Sequence, residues 1–126
     1  MISTLRLGLF HFRNDDVVLI AGDRSTIAAL GQHLQAAFNA GETCVAIHAL
    51  AVVSARHPAS LFAVRGDVQP CAENAFAWRC RDADVQRLVT AGSAASELYF
   101  DLASTPPYLY VNFTGHYGDA WWATYG

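Results

Sequence analysis

The stretch VVLIAGDRSTIAALGQHLQAAFNAG, residues 17–41, places a short apolar run directly before a helical pattern. Its first five residues have the length and composition of a buried strand. Asp23 or Ser25 can accept backbone N–H bonds at the start of a helix, and Gly41 suits its end. The apolar residues between these ends recur at helical spacing and are Ile27, Leu30, Leu34 and Phe38. The stretch therefore predicts a buried strand followed by a helix over Ser25–Asn39.

Strand patterns lie on both sides of this unit. Residues 2–12 alternate with apolar groups on both faces, and the turn residues Asn14–Asp16 connect them to the next strand, which predicts a hairpin. Residues 43–54 are rich in β-branched and small apolar residues and predict a central strand. Residues 61–65 return as another strand after the turn at Pro58.

The second half repeats the mixture of strands and a helix. Alternation predicts strands over residues 76–80, 97–102 and 108–114, and Asp82 is placed to cap a helix over Ala83–Ala91. The predicted order is ββαβββαββ. Sequential strands with two interposed helices indicate an α+β fold, a largely antiparallel sheet with both helices on one face.

Length and composition indicate one α+β domain over residues 1–126. Hydrophobic residues make up 53% of the chain and charged residues 15%, which excludes a disordered protein. The formal net charge of −3 excludes a strongly basic nucleic-acid binder, so we expect no nucleic-acid partner.

The cysteines and the hydropathy pattern also narrow the class of protein. Cys44, Cys71 and Cys80 match neither a disulfide scaffold nor a metal-binding spacing, so we expect no disulfide and no metal. The most apolar stretch, residues 44–53, is half the length of a membrane span, and the first 13 residues lack a secretion signal pattern. We therefore expect a cytoplasmic protein without a membrane partner.

Motifs for catalysis or cofactor binding are absent from the sequence. There is no phosphate-binding loop, dinucleotide-binding glycine pattern or nucleophile elbow, so we expect no cofactor and assign no catalytic residue. Two alternatives for a small enzyme stay open. Cys44 and His48 share a face of a predicted strand but lie roughly 13 Å apart, and His116 with Asp119 could meet in a glycine-flanked loop.

Aromatic residues crowd the final third of the chain. Tyr108, Tyr110 and Asn112 share one strand face, opposite an apolar face that suits the core. If the last segment is a strand, the neighbours Trp121 and Trp122 point to opposite sides. We predict a partner-binding surface, because tyrosine and tryptophan carry binding energy at protein interfaces. Its candidate residues are Tyr108, Tyr110, Asn112, His116, Tyr117, Asp119, Trp121 and Trp122. Alternatively, these aromatics cover the sheet and seal the core.

Several segments together resemble a known class of protein. They are residues 19–24 (LIAGDR), the helix that follows, Ile47–His48, residues 78–82 (WRCRD), residues 98–102 (LYFDL), and the stretch that begins at Val111–Asn112 and ends at Trp121–Trp122. In style they resemble the small bacterial immunity proteins of polymorphic toxin systems. The resemblance implies a small cytoplasmic α+β protein that binds and neutralises a cognate toxin domain. A small enzyme, or a homodimeric assembly or ligand-binding module, stays open as an alternative.

Overall fold

The computed structural model describes residues 2, 5–66, 75–92, 98–101, 107–113 and 117–126, and this part of the chain is α+β, as the sequence predicts. Its strands are β1 (Arg6–Phe12), β2 (Asp15–Ala21), β3 (Cys44–Ala46), β4 (Val52–Val53), β5 (Ser60–Val64), β6 (Ala75–Arg79), β7 (Leu98–Asp101) and β8 (Tyr108–Asn112). Its helices are α1 (Arg24–Asn39), α2 (Asp82–Val89) and α3 (Asp119–Tyr125).

The strands form two mixed sheets. The main sheet has the order β4-β1-β2-β8-β7, and a smaller sheet has the order β3-β5-β6. β1 and β2 form the predicted antiparallel hairpin, but three of the six described strand pairs, including β2 with β8, are parallel. The expectation of a largely antiparallel sheet is therefore wrong. Alternation determines which face a side chain takes, but it does not determine the direction of the neighbouring strand.

The predicted central strand over residues 43–54 is divided in the structure. β3 belongs to the smaller sheet, a 3₁₀ turn spans Ile47–Ala49, and β4 pairs with β1 at the edge of the main sheet. Val45 and Ile47 nevertheless enter the same core. The apolar run thus crosses between two sheets. With α3, this extra strand changes the predicted order to ββαββββαββα.

One large core lies between the main sheet, the smaller sheet and two helices. The main sheet contributes one face of β1, β2 and β8, and the smaller sheet contributes residues such as Trp78. α1 adds Ile27, Leu30 and Leu34, and α2 adds Leu88. The helices α1 and α2 therefore share one side of the main sheet, which is the arrangement expected for the two predicted helices.

The ends of α1 follow the residues that the sequence places there. Asp23 is the N-cap, and its carboxylate accepts the backbone N–H of Thr26 at 2.8 Å. Gly41 has a φ of +92°, a conformation that side chains disfavour, directly after the helix. At α2, however, Asp82 is the first helical residue and not the cap. Instead, the Asp84 carboxylate accepts the backbone N–H of Arg81, which occupies the N-cap position.

The two large helices approach closely at Gly31. A Cβ atom at this position would lie 2.5 Å from the backbone nitrogen of Val89 and 2.8 Å from the carbonyl carbon of Leu88. Both neighbours are backbone atoms, which cannot move aside as a flexible side chain can. Glycine at position 31 therefore sets the distance between α1 and the end of α2.

We expect Leu34→Ala to lower the free energy of unfolding by about 2–5 kcal/mol, because it leaves a cavity beneath α1. Leu34 is fully buried. Urea denaturation followed by circular dichroism measures the loss. Gln32→Ala, at an exposed position on the same helix, should change stability by less than about 0.5 kcal/mol. A loss under about 1 kcal/mol for Leu34→Ala would contradict the packing of α1.

We expect Gly31→Ala to destabilise the protein by about 1–3 kcal/mol, because the added methyl group forces α1 and α2 apart. Helix propensity alone predicts the opposite sign, a gain of roughly 1 kcal/mol. Ala36→Gly, at an exposed position of α1, measures that propensity term in the same helix. If Gly31→Ala is stabilising in the same urea assay, the helices do not approach as described.

Candidate functional site

The second face of the main sheet carries a smaller buried cluster. It consists of Phe10, Leu19, Ala21 and Trp122. Phe10 belongs to the even-numbered positions of β1, which point away from the large core. The sequence pattern already showed apolar groups on both faces of this strand, so both faces require cover. α3 supplies that cover on the second face.

α3 was not predicted as a helix. It spans seven residues, and a helix of this length is not stable alone in water. Polar contacts to other parts of the chain secure it. Arg6 forms an ion pair with Asp119, and the Arg56 guanidinium donates to the Thr124 carbonyl oxygen. The Gly126 carbonyl oxygen accepts the Ser54 hydroxyl at 2.7 Å and the Arg56 backbone N–H at 3.3 Å. Tertiary contacts therefore hold α3 in its helical form, and these contacts cannot be read from local sequence.

Gly8 creates the space for the aromatic packing beneath α3. A Cβ atom at Gly8 would lie 2.6 Å from Cε2 of Phe10 and 3.1 Å from Cβ of Ser54. Glycine in the middle of a strand marks a close approach of this kind. The Phe10 ring therefore lies over the backbone of its own strand.

Among the residues that the structure describes, eight rings form a continuous aromatic cluster on this side. Trp121 connects the buried rings to the outer ones. Its ring centroid lies 4.7 Å from that of Tyr117, 5.0 Å from that of Phe10 and 5.3 Å from that of Tyr125. The outer rings are Phe12, His57, Tyr117, Trp121 and Tyr125, and we call these five residues the α3 surface. Tyr125 is 55% exposed, His57 is exposed, and the other three are half-buried.

The β8 face with Tyr108, Tyr110 and Asn112, predicted as part of a partner-binding surface, is partly buried in the structure. Asn112 is 1% exposed and Trp122 is 8% exposed, so neither is accessible to a partner. Tyr108 and Tyr110 are half-buried, and Tyr110 packs against the smaller cluster. The burial of Trp122 agrees instead with the predicted alternative, in which the aromatic residues cover the sheet and seal its core.

The remaining predicted residues separate into three groups. Tyr117 and Trp121 lie together on the outer side of the aromatic cluster. Asp119 is highly exposed and pairs with Arg6, and His116 lies outside the described residues. A His116–Asp119 site is therefore not tested by the structure.

Sequence reasoning missed the contributions of β1 and of the last helical turn. Phe12 and His57 join the aromatic surface from other parts of the chain, and Tyr125 adds an exposed ring from the last helical turn. The alternation of Phe10 and Phe12 in β1 was the available signal. A helical periodicity in residues 119–125 would have placed Trp121 and Tyr125 on the same side, because they are four residues apart.

A hollow with several charged lining residues lies beside the aromatic cluster. It has a volume of about 230 Å³ and is lined by Arg6, Ala21, Gly22, Asp23, Asn112, Tyr117, Gly118 and Asp119. It opens at the carboxyl ends of the parallel strands β2 and β8, where the chain continues into α1. Carboxyl ends of parallel strands are a common location for binding sites in sheets with helices.

The arrangement of Cys44 and His48 provides no support for a catalytic pair. Cys44 begins β3, whereas His48 lies in the 3₁₀ turn that follows, with Nδ1 3.2 Å from both the backbone nitrogen and the carbonyl oxygen of Leu61. The imidazole of His48 also packs against Phe62. Within the described residues, no three histidine, cysteine or acidic side chains converge as metal ligands would.

Comparisons with protein-family models, with curated proteins and with solved structures gave no match to this chain. None of the helices that the structure describes is both long and apolar enough to cross a lipid bilayer.

We expect the two described cysteines to differ in reactivity, because burial raises the pKa of the Cys80 thiol to about 12, with a smaller contribution from the nearby Asp84 carboxylate. Cys44 is exposed. At pH 8, iodoacetamide should modify Cys44 at least about a hundredfold faster than Cys80, because only the thiolate reacts. Peptide mapping of native protein measures both rates. Equal rates in folded protein would contradict the burial of Cys80, and unfolding in urea should remove the difference.

Proposed function

We propose that this chain is a protein-binding inhibitor of the immunity type, which binds and neutralises a cognate bacterial toxin domain through the α3 surface. The observation that carries the proposal is the contiguous set of partly exposed rings around Trp121. Its size and chemistry suit the anchor of a protein interface, where tryptophan and tyrosine dominate the binding energy.

The support beneath these rings favours binding. Trp121 packs on Phe10 and on Trp122, whose ring centroid is 5.5 Å away, and both of those neighbours are buried. An aromatic side chain that is already held in place loses little rotamer freedom when a partner covers it. The inner rings therefore act as a platform, and the outer rings remain partly exposed to solvent.

Exposure of the rings also makes the unbound protein prone to aggregation. Contiguous apolar surface promotes aggregation unless a partner or a second copy covers it. Isolated exposed aromatics are common on soluble proteins, but Tyr125 continues a cluster that extends to Phe12. Coverage by a partner removes this surface from water, which supports a binding role for the α3 surface.

Charge makes a smaller contribution to the proposed binding. The net charge of −3 favours encounter with a basic toxin domain, but the value is modest for a protein of 126 residues. We therefore assign most of the affinity to aromatic contacts and the smaller part to electrostatic attraction.

The test begins with the neighbouring genes: we expect one of them to encode a toxin with a variable C-terminal domain, and binding to that domain is then measured. We expect Tyr125→Ala and Trp121→Ala each to weaken binding by at least about thirtyfold, the effect of removing an interface anchor. Isothermal titration calorimetry gives the affinities, and thermal denaturation shows whether each variant folds. Tyr125 is the sharper test, because its exposed ring contributes less to the core.

Phe62→Ala is the matched control. Phe62 is a half-buried ring on the smaller sheet, packed against His48 and outside the aromatic cluster of α3. Its removal should leave the affinity unchanged. Full binding by folded Tyr125→Ala and Trp121→Ala would overturn the proposal. So would a concentration-dependent homodimer in light scattering that both variants abolish, because the surface would then be a contact between copies.

A further inference from the structure

The hollow beside α3 has the dimensions of a side-chain pocket. Its volume of about 230 Å³ lies below the roughly 300–1,000 Å³ of typical small-molecule sites. It is continuous with the α3 surface through Tyr117, which lines the hollow and whose ring centroid lies 4.7 Å from that of Trp121. A protein lying on the α3 surface can therefore insert one side chain into the hollow.

The charges in the hollow favour a cation. Asp23 and Asp119 contribute two carboxylates and Arg6 contributes one guanidinium, which leaves one excess negative charge. Arg6 is already occupied, because it pairs with Oδ1 of Asp119 and lies 5.8 Å over the Trp122 ring. The Asp119 side chain remains 92% exposed, and no contact from the described residues occupies its Oδ2 atom.

Asp23 is held in the ionised form. Its carboxylate accepts the Thr26 backbone N–H and the Ser25 hydroxyl, both at 2.8 Å. These hydrogen bonds, with that of the Thr26 backbone the largest, lower its pKa below the ordinary value. The carboxylate is also fixed in position, because it caps α1. Arg24, the next residue, directs its guanidinium over the Phe113 ring at 5.1 Å and does not line the hollow.

We propose that this hollow receives an arginine side chain of the protein bound on the α3 surface, an inference that rests on the function proposed above. The planar guanidinium can donate to Asp119 and Asp23 together and can stack on the Tyr117 ring. An ammonium group offers no planar fork and stacks less well. An acidic side chain would meet two carboxylates and only one cation that is already paired.

The experiment uses N-acetyl-arginine amide as a probe and follows backbone amide signals of the intact chain by NMR. We expect saturable shifts at Gly22, Asp23, Gly118 and Asp119, with weaker binding of N-acetyl-lysine amide. N-acetyl-glutamate amide and N-acetyl-leucine amide should cause no saturable shift at these positions. The lysine and glutamate probes separate guanidinium recognition from general charge effects.

Asp23→Asn and Asp119→Asn should each weaken arginine-probe binding about tenfold, the effect of losing one charge-assisted hydrogen bond. Asparagine is as good an N-cap as aspartate, so Asp23→Asn keeps the start of α1. Asp15→Asn, at an exposed position of the β1–β2 hairpin, makes the same change in net charge away from the hollow and should have no effect.

Absence of a saturable shift with the arginine probe, or equal binding by the glutamate probe, would overturn the inference. So would unchanged binding by both Asp23→Asn and Asp119→Asn. The probe needs no toxin domain, so its result is separate from the test of the α3 surface. If the probe fails while Tyr125→Ala still weakens toxin binding, only the arginine pocket is rejected. If the probe binds while Tyr125→Ala has no effect, the proposed function is rejected.

Discussion

Burial of both faces of β2 is the constraint on which the rest of the fold depends. Val18 and Ile20 enter the large core, whereas Leu19 and Ala21 enter the smaller cluster, and all four side chains are nearly inaccessible to solvent. A central strand of this kind requires a cover on each side. α1, α2 and the smaller sheet cover one side, and α3 covers the other. The outer side of that second cover is the α3 surface, so stability and the proposed binding share one short helix.

The sequence predicts the local elements of this fold better than their pairing. The bounds and caps of α1 follow from Asp23, Gly41 and the apolar spacing between them, and the β1–β2 hairpin follows from its turn residues. The division of residues 43–54 between two sheets does not follow, because β-branched residues suit either sheet equally. The parallel pairing of β2 with β8 joins segments far apart in the chain, and no local pattern encodes that choice.

For the candidate site, too, the sequence indicated the residue types involved but not their positions in the fold. Aromatic composition correctly drew attention to the last part of the chain, and Tyr117 and Trp121 do lie together. Which of two neighbouring tryptophans is buried depends on the orientation of α3 over β1, so the burial of Trp122 needed the tertiary structure. The sequence also showed no sign of the hollow, because its charged residues Arg6, Asp23 and Asp119 come from three separate segments.

The pairing of Arg6 with Asp119 spans 113 residues of chain, and this separation has a consequence for synthesis. At 5–20 residues per second, a ribosome needs roughly 6–23 s to make the intervening chain. During that interval Phe10 and Leu19 have no helix to cover them, although their own hairpin forms within microseconds. The nascent chain thus exposes one apolar face of the β1–β2 hairpin for on the order of ten seconds. Slower translation therefore lengthens the time for which this apolar face of the hairpin is exposed.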